Sequence, residues 1–171
     1  MISAIVTSAT SERSIAATLS SLTPAAVDGF VRELIVASAG GDKAALELAD
    51  DAGARIAAGG LDAAAALARH PWMLIVPAGV RLQIGWEGAA RTHIRRYPDA
   101  AGWFQLNYAA DGLAARLGEA WSNSQARWLG RPRAQHGLLI PARQWSETAG
   151  RARGFRPIRA RILVGGLDLE D

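Results

Sequence analysis

The stretch Trp72–Val76, an unbroken apolar run closed by Pro77 and Gly79 within PWMLIVPAGVRL, constrains the fold more than any other. A short run with no polar face, ending in residues that turn the chain, is the pattern of a strand buried on both sides in a parallel sheet. In open α/β sheets, ligands bind outside the carboxyl ends of such strands. Val76–Arg81 is therefore expected to line any site. It brings backbone, the Gly79 gap and the Arg81 guanidinium, but no carboxylate, imidazole or hydroxyl.

The segments before this run repeat its grammar. Ile2–Thr7 is a β-branched run, and Ser11 is placed to cap a helix whose apolar positions Ile15, Leu19 and Leu22 recur at helical spacing. Pro24–Gly29 reads as a loop, and Leu34–Ala37 as a second buried strand ending in Ser38-Ala39-Gly40-Gly41. Asp42 opens a helix through about Ala52, and Gly53 stops it by accepting a left-handed conformation. Ala54–Ala57 makes a third strand, Gly59-Gly60 breaks the chain, and Leu61–Arg69 is a short alanine-rich helix leading through Pro71 into the central run. Strands alternating with helices at this spacing predict a parallel sheet in a Rossmann-like α/β fold.

After Leu82 the pattern loosens. The spacing predicts helices over Trp86–Tyr97, Gly112–Leu129 and Arg143–Ala149, and strands over Gly102–Tyr108, Gly137–Ile140 and Arg159–Val164. Trp72, Trp121 and Trp128 read as core positions, whereas Trp103 and Trp145 do not fall clearly on a buried face. A length of 171 residues with half of them apolar fits a single domain over 1–171.

The absence of cysteine excludes disulfides and thiolate metal sites and agrees with a reducing compartment. No apolar run approaches the roughly 20 residues that span a bilayer, and Met1–Val6 lacks a basic leader, so a cytoplasmic protein is expected. Charge is uneven: residues 1–80 carry five Lys/Arg against eight Asp/Glu, and residues 81–171 carry fourteen arginines against eight acids. A basic half suits a phosphate-bearing ligand, an acidic membrane surface or nucleic acid, but in a chain where arginine abounds throughout it reads more readily as a solvated face. Nucleic acid is not expected as a partner, because aromatic and basic residues do not interleave and no glycine-rich RNA motif is present.

Taken in order, ISAIVTSATSER with its helix IAATLSSL, VRELIVASAGGDKAALELADDAGARI, ALARHPWMLIVPAGVRL and RPRAQHGLLIPARQW resemble the amino-terminal part of a family 2 glycosyltransferase. The resemblance implies a GT-A fold, a three-layer sandwich around a mostly parallel sheet. It also implies a nucleotide-binding half over 1–82 and an acceptor-side half over 83–171. It carries a nucleotide-sugar as partner and places Thr7, Ala37, Asp42, Gly79 and Arg81 on the nucleotide side, with His136 and Trp103 on the acceptor side.

The resemblance departs from the family at the positions that do chemistry. Ala37 stands where the family's second strand ends in an aspartate, and Pro77-Ala78-Gly79-Val80 stands where its metal-binding aspartates follow the fourth strand. Methyl groups and hydrogens cannot ligate a hard cation, so no cofactor is predicted and a divalent metal is doubtful. The family's catalytic base follows a glycine-phenylalanine turn. After Gly154-Phe155 a gapless match sets Gly165 and Gly166 there, while an alternative alignment makes Arg159–Val164 a later strand; no residue is assigned as catalytic.

Asp42 reads more strongly as a helix cap than as a nucleotide contact, and Arg81 equally as a surface arginine or a diphosphate contact. Two functions follow: glycosyl transfer at an atypical site in which Arg81, Arg131 and Arg133 replace the metal, or an inactive relative serving as a binding module with a protein partner.

Overall fold

The computed structural model describes residues 1–7, 9–38, 40–108, 137–148 and 155–164. Strands β1 (Ile2–Thr7), β2 (Val31–Ala37), β3 (Arg55–Ala57), β4 (Trp72–Pro77), β5 (Arg81–Leu82), β6 (Gly102–Tyr108), β7 (Leu138–Pro141) and β8 (Arg156–Val164) form one sheet. Its order is β3-β2-β1-β4-β7-β6-β8-β5. The β3, β2, β1 and β4 ladders are parallel, β7 runs antiparallel between β4 and β6, and β8 lies parallel to β6 with β5 antiparallel on its far side. Helices α1 (Glu12–Val27), α2 (Lys43–Asp51), α3 (Gly60–Leu67), α4 (Trp86–Arg96) and α5 (Ala142–Thr148) connect them.

Period-two alternation puts successive side chains of the central strands into opposite layers. On one face Ala4, Val6, Leu74 and Val76 meet Ile15 and Leu22 of α1, Ala45 and Ala49 of α2, and Trp86 and Ala90 of α4. On the other, Ile5, Ile35, Met73 and Ile75 meet Ala64 of α3, with Ala142 and Trp145 of α5 against them. Both faces are covered, so β1 and β4 need no polar side, and their apolar runs follow from that. This is the expected three-layer α/β sandwich, with its first four strands parallel.

Several boundaries differ from the sequence expectation. Helix α1 continues through Pro24 to Val27, where a loop was expected. The last turn holds because Ala25 is buried, and because the Asp28 and Phe30 amides reach the Pro24 and Ala25 carbonyls at 3.0 and 2.9 Å. Strand β2 starts at Val31, three residues before the apolar run, since its polar beginning faces a charged cluster described below. Strand β8 begins at Arg156, directly after Phe155, and pairs with β6 from Gly102 to Tyr108. The short β5, which was not expected, pairs Arg81 and Leu82 with Leu163 and Ile162. The expected helix over Gly112–Leu129, with Trp121 and Trp128, lies outside the described residues.

Capping agrees with the reading. The Ser11 hydroxyl accepts from the Ser14 amide at 3.2 Å, and the Ser14 hydroxyl accepts from the Ser11 amide at 3.3 Å, a reciprocal capping box. Asp42 accepts from the Ala45 amide at 3.0 Å at the start of α2.

Candidate functional site

The carboxyl ends of the parallel strands line up in register. Thr7 of β1 lies opposite Ala37 of β2 on one side and opposite Pro77 of β4 on the other. Three of the expected nucleotide-side positions, Thr7, Ala37 and the Pro77–Gly79 turn, therefore meet at one edge of the sheet.

Backbone hydrogen bonds shape this edge. The Ala78 amide donates to the Thr7 carbonyl at 2.7 Å and the Gly79 amide to the Ser14 carbonyl at 2.9 Å, while the buried Thr18 hydroxyl donates to the Val80 carbonyl at 2.8 Å. Gly79 has φ +88°, a conformation that a side chain disfavours. On the β2 side the Ser38 amide reaches Ala57 at 2.8 Å and the Asp42 amide reaches Ala9 at 3.1 Å. A Cβ at Gly41 would sit 3.0 Å from the Ala9 carbonyl oxygen, so the two loops approach closely because residue 41 is glycine.

Between these loops and the start of α3 is a cavity of about 330 Å³, whose wall includes Thr7, Thr10, Ala37, Gly41 and Leu61. Among the described residues, its side-chain polarity is two threonine hydroxyls, with apolar surface and backbone making the remainder. Sequence reasoning missed Thr10, Gly60 and Leu61, although Gly40-Gly41 and Gly59-Gly60, both placed after strands, carried the signal of loops that let backbone come close.

The other expected residues lie apart from the cavity wall. The Asp42 side chain is committed to the α2 cap, with Gly41 rather than Asp42 lining the cavity. Arg81 is exposed, two residues past Gly79, on the strand paired with β8. Trp103 is 2% exposed within β6, so its ring packs inside the fold and has no face to offer an acceptor. Trp145 is half-buried against the α3-side core. His136, Arg131 and Arg133 lie outside the described residues.

A divalent cation does not fit the turn after β4. Pro77, Ala78, Gly79 and Val80 carry no side-chain oxygen, and no group of three His, Asp or Glu side chains is arranged to hold an ion among the described residues.

At the opposite, amino edge of the same strands is a cluster centred on Glu33. Its carboxylate accepts from the Ser3 hydroxyl at 2.7 Å, the Arg55 guanidinium at 2.8 Å and the Arg69 amide at 2.9 Å. Burial pushes its pKa up, but the Ser3 hydroxyl, the Arg69 amide and Arg55 together hold it below its ordinary value. His93, buried on α4, hydrogen-bonds through Nε2 to the Ala100 carbonyl at 2.8 Å and meets Trp72 edge-on. Burial lowers its pKa against the opposing pull of that carbonyl, and the charge of Arg156 lowers it further.

No family model matches the sequence, and no curated protein matches it. Solved structures do match the fold. Glucosyl-3-phosphoglycerate synthase from Mycobacterium tuberculosis, in complex with Mn2+, UDP-glucose and phosphoglyceric acid, superimposes with a TM-score of 0.64 at 15% identity, over 98% of this chain and 73% of that one. Residues 1–349 of S. aureus TarS in complex with UDP match with a TM-score of 0.61 at 13% identity, over 86% of this chain and 48% of that one. The fold is the GT-A fold of nucleotide-diphospho-sugar transferases. No helix among the described residues is long and apolar enough to cross a membrane.

Proposed function

We propose that the chain binds a nucleotide-diphospho-sugar at the carboxyl edge of β1, β2 and β4, as a glycosyltransferase-like protein whose site needs no divalent metal. The observation that carries this reading is the register of Thr7 with Ala37 and Pro77 beside a cavity of about 330 Å³. Its size lies at the lower end of the roughly 300–1,000 Å³ of small-molecule sites and suits one moiety, such as a nucleoside, with the remainder of the ligand outside. The similar folds were solved with UDP and UDP-glucose, which supports a nucleotide-sugar as ligand.

In this reading Thr7, Thr10 and the loop backbone near Gly41 hold the nucleoside by hydrogen bonds. The diphosphate extends past Gly79 toward Arg81, whose guanidinium answers its charge by paired hydrogen bonds. Asp42 serves the site by fixing the loop rather than by touching ligand. Residues 1–82 form the donor half and residues 83–171 the acceptor half, with His136 as the acceptor-side candidate. Trp103, buried within β6, takes no part in acceptor binding. A cytoplasmic location completes the reading, supported by the cysteine-free sequence.

A second reading, an inactive binding or partner module, is favoured by the methyl groups of Ala37 and Ala78. Transfer needs a base for the acceptor hydroxyl and neutralisation of the leaving diphosphate, and the described part of the edge supplies no carboxylate.

Calorimetric titration of UDP, UDP-glucose and GDP-mannose, with Mn2+ and with a chelator, tests the proposal. The expected result is binding of a nucleotide-sugar unchanged by the chelator and abolished by Thr10→Trp, which fills the cavity from an exposed position. Binding that requires Mn2+, or no binding by any nucleotide, would overturn it. Sugar release from the bound donor separates the transferase from the inactive module.

A further inference from the structure

The amino edge of the sheet carries a second concave surface, remote along the strands from the Thr7 cavity. Strand β3 pairs with Ile35–Ala37, so among the described residues the beginning of β2 has no strand neighbour on that side. A pocket of about 270 Å³ fills the place, lined by Arg32, Arg55, Arg69 and His70 around Glu33. It runs into a groove of about 490 Å³ between α1, β2 and the end of α2, whose wall includes Leu19, Leu22, Ala26, Val27 and Leu34. Arg32, Glu33, Leu34 and Gly53 line both, so the two form one continuous surface.

Two guanidinium groups, Arg55 and Arg69, flank a single carboxylate here, and a third, Arg32, lines the same pocket. Glu33 is answered by Ser3, Arg55 and the Arg69 amide. The Arg69 side chain stands farther off, with Nε 3.9 Å from the carboxylate and 75% exposed. The Arg55 side chain is 38% exposed and also donates to the Leu67 carbonyl at 3.1 Å. Arg32 folds back to donate to the Gly29 carbonyl at 3.1 Å, at the junction of pocket and groove. Glu33 thus holds the cluster in place without cancelling its charge, and the pocket keeps a positive excess. Beyond it, the groove presents apolar walls to water, and Val27 on its rim is 84% exposed.

A cationic pocket opening onto an apolar groove has the charge and polarity pattern of an amphiphile with the opposite head. We infer that this surface binds a single-chain amphiphile with an anionic head, an alkyl carboxylate or alkyl phosphate. The head group sits among Arg32, Arg55 and Arg69, and the chain lies along Leu19, Leu22, Leu34 and Val27. From Leu19 to Val27 the helix side of the groove runs about 12 Å at the usual rise per residue, long enough for a medium-length alkyl chain. A neutral head would gain nothing from the positive excess that one carboxylate leaves among three arginines, and a bare anion would leave the groove wet.

The test titrates decanoate, below its micelle concentration, into the full chain beside decyl glucoside and inorganic phosphate. Decanoate is expected to bind at least about tenfold more tightly than either control, since it alone gains both the charge-assisted bonds and the apolar burial. Arg32→Ala/Arg69→Ala, which alters exposed side chains and leaves the Arg69 amide in place, is expected to weaken decanoate about tenfold. Val27→Asp is expected to weaken it comparably, with melting temperatures of both variants near that of the parent. Flotation with vesicles of phosphatidylglycerol, against phosphatidylcholine, separates a membrane-borne amphiphile from a soluble one. Equal binding of decyl glucoside or of phosphate, or variants that bind decanoate as the parent does, would overturn the inference. Nucleotide binding at the opposite edge is expected to be unchanged in both variants, so the two readings stand or fall separately.

Discussion

Replacing Glu33 by Gln keeps the shape of the side chain and removes its charge. The carboxylate accepts through Oε2 from Ser3 and the Arg69 amide and through Oε1 from Arg55. An amide has one acceptor oxygen, so one orientation sets its NH2 against Arg55 and the other sets it against two donors. The first is cheaper. It loses one charge-assisted bond, worth roughly 1.5–3 kcal/mol in general. The value here lies toward the low end, about 1.5–2 kcal/mol, because Arg55 is 38% exposed and water takes up part of the loss. For a chain of this length that is a fall in melting temperature of about 3–8 °C.

The loss depends on pH. The folded-state pKa of Glu33 is held below 4.5, so below that value the unfolded chain takes up the proton first. Its contribution is present above the ordinary value and is lost as pH falls through the folded one. Urea melts of parent and Glu33→Gln should therefore differ near neutrality and converge in acid. A gap that stays constant into acid, or no gap at neutrality, would refute the assignment of Glu33 as the ionised centre of the cluster.

Other substitutions separate different physical causes. His93 is buried and its folded pKa is lowered from 6.5, so its share of stability is full above that value and lost as pH falls through the folded one; His93→Gln should remove that acid-side slope in denaturant melts. Gly102→Ala would place a Cβ 2.7 Å from the Ile158 Cδ1 and 2.9 Å from the His93 ring. The overpacking should cost about 1–3 kcal/mol, and Ile158→Val in the same chain should restore part of it in thermal melts. Asp42→Ala should cost about 1 kcal/mol through the lost cap, with Asp42→Ser nearly neutral. Nucleotide titration should give the same affinity for both Asp42 variants, whereas loss of affinity in the well-folded Ser variant would make Asp42 a ligand contact.

How much could be read from sequence follows from which forces act locally. Trp72–Val76 and Ile2–Thr7 are buried on both faces, so their hydrophobic runs announce them without help from any partner. Ser11 and Asp42 cap helices through contacts three residues away, again a local matter. Pro24 misled because proline usually breaks a helix interior, and the burial of Ala25 that carries α1 past it is a tertiary contact. Strand β5 has two residues and exists through pairing with β8, some eighty positions downstream. The edge alignment of Thr7, Ala37 and Pro77 was legible, because consecutive βα units put their carboxyl ends together. The Glu33 cluster was not, since Ser3, Glu33, Arg55 and Arg69 are spread over four segments with no common period. Trp103 shows the opposite failure, a tryptophan that invited a sugar-stacking role and lies in the interior.

Among the described residues, the turn behind β4 is hydrogen-bonded through main-chain amides and carbonyls and one threonine hydroxyl from α1. These bonds ask nothing of the side chain at residue 78, whose methyl group packs against the α1-side core. An aspartate at Ala78 would keep those main-chain bonds but set a carboxylate against apolar neighbours, whereas at Gly79 the left-handed backbone itself resists a side chain. The outline of this edge and the chemistry of its side chains are thus separable, the first set by the main chain and the second by substitution.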